Sequence, residues 1–388
     1  MVIRGISMVR VLGIDPGTRS FDLCGLENGR VYYEKVIDTP EVAKNPNVLI
    51  DAIEEAMPLD LITGPSGYGV ELTYLKDIPM DILEDWYLTY ILLLKRKDLE
   101  SALKRNELGI MVYYAMTKSA LEMKRREWPI CYIPGVIHLP TVPRYRKINK
   151  IDMGTADKMC IAVLGVFDQA RRLGINYSEV SFILVEMGFG YNAVIGVERG
   201  RIIDGIGGTL SGPGFLTLGS MDAELVQLVG NWEKADIFVG GGVSISKRNS
   251  PEEMLENVEA DESCYIAWNA MLESVVKSVY SMLVSVREPR EILISGRLTR
   301  IPKVEKELIS RLSKIADVRK IGSIPGATKV KEAAQGYAIV ADGLAGGPYK
   351  ELIEWMKIGE SKGTVIDNIY HPKIQLVKEI FEKLRIKT

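Results

Sequence analysis

One pattern occurs twice in this chain, and it limits the possible folds more than any other feature. Val11-Leu12-Gly13-Ile14-Asp15-Pro16-Gly17-Thr18-Arg19-Ser20 is an apolar run that ends in one acid and a glycine turn. Residues 21–26 continue as a second strand, and Gly29 turns the chain into a third, residues 30–37. Residues 180–188 are again an apolar run, ending in Glu186-Met187-Gly188. Residues 190–197 form the next strand, and Glu198-Arg199-Gly200 turns into residues 201–206. Short apolar runs joined by glycine turns read as antiparallel meanders. Strand, acid, glycine turn, strand, charged glycine turn, strand thus appears in each half, as an internal duplication.

The first meander is followed by a helical period over residues 48–57 and a strand over 59–64, which runs into Gly64-Pro65-Ser66-Gly67. The order β-β-β-α-β predicts a mixed sheet of the α/β class. Residues 70–128 read as a charge-rich helical insertion or lid. Residues 129–134 read as a strand, and 148–158 lead into a long helix ending near 173. In the second half, strands are expected at 235–239, 291–296 and 317–321. Helices are expected at 264–286, 302–313 and 331–344. The chain divides into a first domain at 8–178, a second at 179–347 and a helical tail at 348–388. Residues 1–7 read as an extension outside the fold.

Composition removes several function classes. The formal net charge of −2 gives no nucleic-acid signal. No apolar run approaches the roughly 18 residues of a membrane span, and no signal peptide is expected. Four scattered cysteines exclude a cysteine zinc motif and suit a reducing cytoplasm. With only two histidines, His138 and His371, a histidine metal site or a Ser-His-Asp triad is not expected. Glutamine is scarce beside Lys, Arg and Glu, as in thermophile proteins.

The glycines and acids point to phosphate chemistry. Gly188-Phe189-Gly190-Tyr191-Asn192-Ala193 fits the G-x-G-x-x-A dinucleotide fingerprint, but that fingerprint must open a helix. Here Val194-Ile195-Gly196-Val197 follows, so a hairpin is expected instead. Gly17, Thr18 and Arg19 offer donors at the first turn. Gly188, Gly190, Tyr191 and Asn192 form the second. Two such turns facing each other would hold a polyphosphate between backbone N–H groups. Asp15 and Glu186 would hold Mg²⁺. The plainer reading of Glu186 is a strand-end acid paired to a nearby cation. Phosphoryl transfer to a hydroxyl needs a carboxylate that takes the proton. Asp152 is the candidate, with Asp157 as the alternative; the plainer reading is helix capping, by Asp152 or Thr155, and compensation of the helix dipole. Gly296 and Arg297 follow a strand and would flank an adenosine, or form a plain turn.

These motifs, in this order, resemble the sugar kinase, heat-shock cognate and actin ATPase superfamily. Val11 to Thr18 resembles its first phosphate motif, Val185 to Gly190 the second, and Ile294-Ser295-Gly296 the adenosine motif. The resemblance implies two duplicated RNase H-like domains around an interdomain cleft that binds ATP or ADP with Mg²⁺. Within it, the stretch from Gly188 to Asp222 is similar to acetate and butyrate kinases. The whole chain resembles an archaeal family described as predicted butyrate kinases. That implies an acyl phosphate product, a small-molecule acceptor and a homodimer. The chain departs from acetate kinases in three places. Their arginines are missing near Gly64-Pro65-Ser66-Gly67 and in Leu218-Gly219-Ser220-Met221-Asp222, and Met153 stands where they carry histidine. Arg144 and Arg146 are candidate replacements for the carboxylate-holding arginines. A kinase acting on a hydroxyl such as a sugar, a regulatory or scaffold ATPase of the same fold, and a nucleotide-free relic are the alternatives.

Overall fold

Two mixed sheets carry the chain, and they repeat one topology. The computed structural model describes residues 8–104 and 108–386. The first meander is β1 (Arg10–Pro16), β2 (Ser20–Glu27) and β3 (Arg30–Asp38). With β4 (Leu61–Thr63), β5 (Thr73–Tyr74) and β6 (Ile130–Tyr132) it forms a sheet of order β3-β2-β1-β4-β6-β5. The second sheet holds β7 (Ser181–Met187), β8 (Asn192–Glu198), β9 (Arg201–Ile206), β10 (Glu291–Ser295) and β11 (Asp317–Lys320). Its order is β11-β10-β7-β8-β9. In each sheet the first strand pairs antiparallel with the second and parallel with the fourth. Both meanders also shift register at a glycine of the middle strand, between Gly25 and Leu26 and between Gly196 and Val197. The duplication therefore extends to a β-bulge.

Strand alternation builds two cores from the second sheet. Phe182 and Leu184 join the central core, shared with the first sheet and the Ala156–Leu173 helix. Ile183, Val185 and Met187 point the other way, into a second core with Met271, Val275 and Val279 of the Glu262–Met282 helix. The Glu332–Leu344 helix belongs to the second half in sequence but packs on β1. A Cβ on Gly13 would stand 2.2 Å from the backbone nitrogen of Ala338, so only glycine permits this approach. The same helix packs against the Ala156–Leu173 helix. The two connecting helices thus lie between the sheets.

Three expectations need correction. Residues 235–239 are not a strand; Lys234–Phe238 is a 3-10 helix. The Asp236 carboxylate accepts a 2.7 Å hydrogen bond from the Glu233 backbone N–H. Such a local bond competes with strand pairing. Residues 70–128 are largely helical, but Thr73–Tyr74 adds an edge strand antiparallel to β6. Trp86, Tyr87 and Ile91 from this segment lie in the central core, so it is not a detachable lid. Among the described residues, 348–386 hold two α-helices, Lys350–Trp355 and Gln375–Lys383, with irregular chain between them apart from short 3-10 turns. It folds back: the Phe381 ring lies 4.7 Å from the Tyr90 ring, and Tyr90 Oη donates to the Phe381 carbonyl at 2.7 Å. Residues 1–7 lie outside the described residues.

Candidate active site

The two acid-glycine turns face each other. Thr39 Oγ1 donates to the Gly17 carbonyl at 2.8 Å and fixes the first turn. The Gly188 N–H donates to the Tyr191 carbonyl at 2.9 Å and closes the second as a β7–β8 hairpin, with no helix after it. A Cβ on Gly190 would stand 3.6 Å from Thr18 Oγ1. Thr18 and Arg19 are exposed, so this junction opens to solvent. The Arg19 guanidinium lies 4.7 Å from the centroid of Phe189, and that of Arg297 lies 5.8 Å from the same ring. Gly296, at φ +95°, rests on Met187 and Glu186; a Cβ there would meet the Met187 carbonyl at 2.4 Å. The first turn, the second turn and the Gly296-Arg297 turn therefore meet around Phe189.

Below the turns lies a cluster of acids with two lysines. Asp15 is buried, and Lys331 Nζ stands 2.9 Å from its Oδ2. The same ammonium is 3.0 Å from Asp22 Oδ2 and donates to the Ser20 carbonyl at 3.1 Å. On the other side, Lys158 Nζ is 2.7 Å from Asp157 Oδ2 and 3.0 Å from Glu186 Oε2. The Glu186 contact is off the angle of a hydrogen bond, so it is an ion pair only. Both lysines escape a spacing argument, because each meets its strand-end acid only through the fold. Asp157-Lys158 adjacency was the one available signal.

Electrostatics show how closely these acids share space. Burial raises the Asp15 carboxyl against the pull of Lys331, and Asp157 and Asp22 add to the rise. Burial pushes Glu186 up to about 7 against Lys158, with Asp157 and Asp15 adding. Burial also raises Asp152, against hydrogen bonds from Thr209 and Gly154, with Asp157 adding. For Asp157 burial acts upward, but Lys158 outweighs it and holds the carboxyl below its ordinary value. Asp157 thus acts on Asp15, Glu186 and Asp152 together. It is the partly exposed member of a set whose other three are buried.

Asp152 has two engaged oxygens. Oδ1 accepts from the Gly154 N–H at 3.0 Å, and Oδ2 from the Thr209 N–H at 3.1 Å and its hydroxyl at 3.3 Å. Thr155, not Asp152, is the N-cap residue of the following helix. Asp152 therefore anchors the Gly207-Gly208-Thr209 loop against that helix. Asn192 is fully buried, and its Nδ2 donates to the Pro213 carbonyl at 3.0 Å, so it also supports the loop. Tyr191 faces Phe238 edge-on at 5.9 Å. Arg144 and Arg146 are engaged elsewhere. Arg144 donates to Tyr370 Oη at 2.7 Å, and Arg146 pairs with Asp204 at 3.6 Å and donates to the Ile203 carbonyl at 2.8 Å.

The donor set suits magnesium. Among the described residues no three His, Cys, Asp or Glu side chains group around one metal position. Mg²⁺ needs fewer: one or two carboxylates with substrate phosphates and water complete its shell. Asp15 and Glu186 supply oxygen donors from adjacent turns. Glu186 Oε2 is buried and receives no hydrogen bond.

The family model with the description "Protein of unknown function (DUF1464)" matches residues 13–371. The chain belongs to that family. Its description names no activity, and comparison with curated proteins returns no match. Solved structures do share the fold of this DUF1464 member. A propionate kinase from Francisella tularensis subsp. tularensis SCHU S4 aligns over 85% of this chain and 99% of its own, with 15% identity and a TM-score of 0.54. Porphyromonas gingivalis acetate kinase aligns over 79% and 88%, with 12% identity and a TM-score of 0.52. Entamoeba histolytica acetate kinase aligns over 79% and 87%, with 14% identity and a TM-score of 0.50. The chain shares the mixed α/β fold of these acetate and propionate kinases. Nothing in these matches bears on the butyrate kinase resemblance. Among the described residues, no helix is long and apolar enough to cross a membrane.

Proposed function

We propose that this chain is an ATP-dependent phosphotransferase acting on a small molecule, with a carboxylate as the first choice of acceptor. One observation carries the reading: two acid-glycine turns, one from each sheet, meet at Thr18 and Gly190 above the acids Asp15, Asp157 and Glu186. Backbone N–H groups around Gly17, Thr18 and Gly190 would receive the polyphosphate, with the Gly188 N–H spent on the hairpin, and Arg19 and Arg297 would add charge from the solvent side. The shared fold with acetate and propionate kinases supports the same reading. The proposed domains are residues 8–178 and 179–347, with 348–388 as a tail.

Magnesium held by Asp15 and Glu186 would neutralise phosphate charge. Lys331 and Lys158 orient these acids and oppose the rise that burial imposes on their carboxyls. With a carboxylate acceptor, one of its oxygens forms a bond to the γ-phosphorus. The bond from that phosphorus to the β–γ bridging oxygen breaks, and ADP leaves with the electron pair. No proton moves, so Asp152 and Asp157 orient rather than deprotonate. With a hydroxyl acceptor the proton would pass to Asp157 or Asp152.

ATP turnover and phosphorylated product, measured across carboxylates, sugars and polyols, test the proposal. Turnover stimulated by one acceptor class is the expected result. Slow turnover indifferent to every acceptor would favour a regulatory ATPase. Absence of ATP binding by calorimetry would overturn both.

A further inference from the structure

Next to Asp152 lies a second group of side chains that the nucleotide site does not use. Lys234 opens the Lys234–Phe238 turn, and its Nζ donates to Tyr68 Oη at 3.0 Å. The ammonium stands 4.4 Å from the Tyr68 ring centroid and 5.5 Å from that of Phe238. Tyr113 and Tyr191 both meet Phe238 edge-on, at 6.2 and 5.9 Å. Two aromatic rings therefore face the cation, and two more pack on Phe238 behind it.

Among the described residues, Lys234 Nζ has a hydrogen bond to Tyr68 Oη and no ion pair with a carboxylate. Burial lowers its pKa, and the charges of Tyr113 and Asp152 act the other way. Ring faces attract an ammonium, but they replace lost hydration only in part. The Tyr68 oxygen accepts from Lys234, which leaves the phenol hydrogen free to donate. Nζ–H and Oη–H together form a convergent donor pair. A carboxylate matches that pair with two oxygens and supplies the missing charge. A neutral hydroxyl acceptor would do neither. The rings provide an apolar wall for the rest of the molecule.

We propose that Lys234 and Tyr68 anchor the carboxylate of the acceptor, a monocarboxylic acid whose apolar body packs against Phe238, Tyr113 and Tyr191 beside Asp152. This rests on the phosphotransferase reading for its setting. It also gives the chain a cation near the Gly64-Pro65-Ser66-Gly67 loop, which has no arginine of its own.

Calorimetry on the full chain, with and without ADP, would compare butyrate and benzoate with butyramide and benzamide. Wild type should bind the acids and discriminate against the amides. Lys234→Gln should weaken acid binding at least about tenfold, and Lys234→Arg should restore most of it. Thermal melting of each variant reports whether the fold survives. A purely structural lysine would lower the melting temperature of Lys234→Gln and leave the acid-over-amide preference intact, which overturns the proposal. Equal binding of acids and amides, or no acid binding by wild type, also overturns it. Acid binding that depends on Lys234 without ATP turnover would leave the anchor standing and remove the phosphotransferase reading instead.

Discussion

Lys331 Nζ lies 2.9 Å from Asp15 Oδ2 and ties the last core helix to the first strand. The same ammonium sits 3.0 Å from Asp22, whose carboxylate is also buried. Lys331→Met leaves two buried acids without a cation. The expected loss of stability is about 3 kcal/mol, the lower part of the range for breaking a buried pair, because the lysine is partly exposed. Protonated acids need no cation, so the deficit should shrink in acid. Urea titrations at several pH values measure both effects. A neutral-pH loss within about 0.5 kcal/mol would show that the ion pair does not hold the turn.

Asp157 and Asp152 should separate in a paired experiment. Asp157→Asn removes the charge that acts on three buried acids and leaves Lys158 to Glu186 alone. With a hydroxyl acceptor, turnover should fall about 100-fold or more, with little loss of stability; with a carboxylate acceptor, which needs no base, the fall should be much smaller. Asp152→Asn replaces a carboxylate that receives three hydrogen bonds. It should cost about 1–3 kcal/mol as well as turnover. Steady-state kinetics and denaturation of both variants give the comparison. If Asp157→Asn keeps full turnover, the partly exposed acid has no part in the reaction.

The glycines make a steric prediction. A Cβ on Gly13 would stand 2.2 Å from the Ala338 backbone nitrogen, whereas one on Gly190 would meet nothing closer than 3.5 Å. Gly13→Ala should therefore destabilise by about 2 kcal/mol or more, through overpacking. Gly190→Ala should fold normally and bind nucleotide about tenfold more weakly, because its methyl group enters the gap between the turns. Melting curves and nucleotide calorimetry distinguish the two. Unchanged nucleotide affinity in Gly190→Ala would place the phosphates elsewhere.

His138 predicts an acid sensitivity away from the site. Burial holds its pKa near 4 instead of 6.5; Lys147 adds to the shift, and the Gly135 backbone and Asp367 oppose it. The unfolded chain takes up this proton below about 6.5, and the folded chain does not until about 4. Its contribution to stability is therefore complete above 6.5 and is lost as pH falls through that window. The total is at most about 3 kcal/mol. His138→Gln should flatten this part of the stability profile, as read by denaturation between pH 7 and pH 4. A parallel profile for the variant would reject the assignment.

The paired meanders were legible because short apolar runs, glycine turns and strand-end acids are local signals. Asp15, Glu186, Gly17 and Gly188 could be named from them. Lys331 and Lys158 could not be linked to those acids, since each ion pair exists only after the connecting helices cross. Lys234 was hidden by a different cause. Ile237, Phe238 and Val239 suggest a strand, and the Asp236–Glu233 hydrogen bond turns the segment into a 3-10 helix. Thr73–Tyr74 is too short a strand to leave a period. Trp86 and Tyr87 are buried against Tyr132, and Tyr90 against Phe381 of the tail, partners that lie far along the chain.

The fold-back of Phe381 onto Tyr90, and of the Glu332–Leu344 helix onto β1, bears on synthesis. The N-terminal sheet and the segment beside it receive part of their cover from residues 332–344 and Phe381, far along the chain. Its strands must therefore wait, partly uncovered, until translation has passed those positions. A ribosome stalled anywhere before residue 332 would display a sheet missing its cover, a species that chaperones bind and proteases cut.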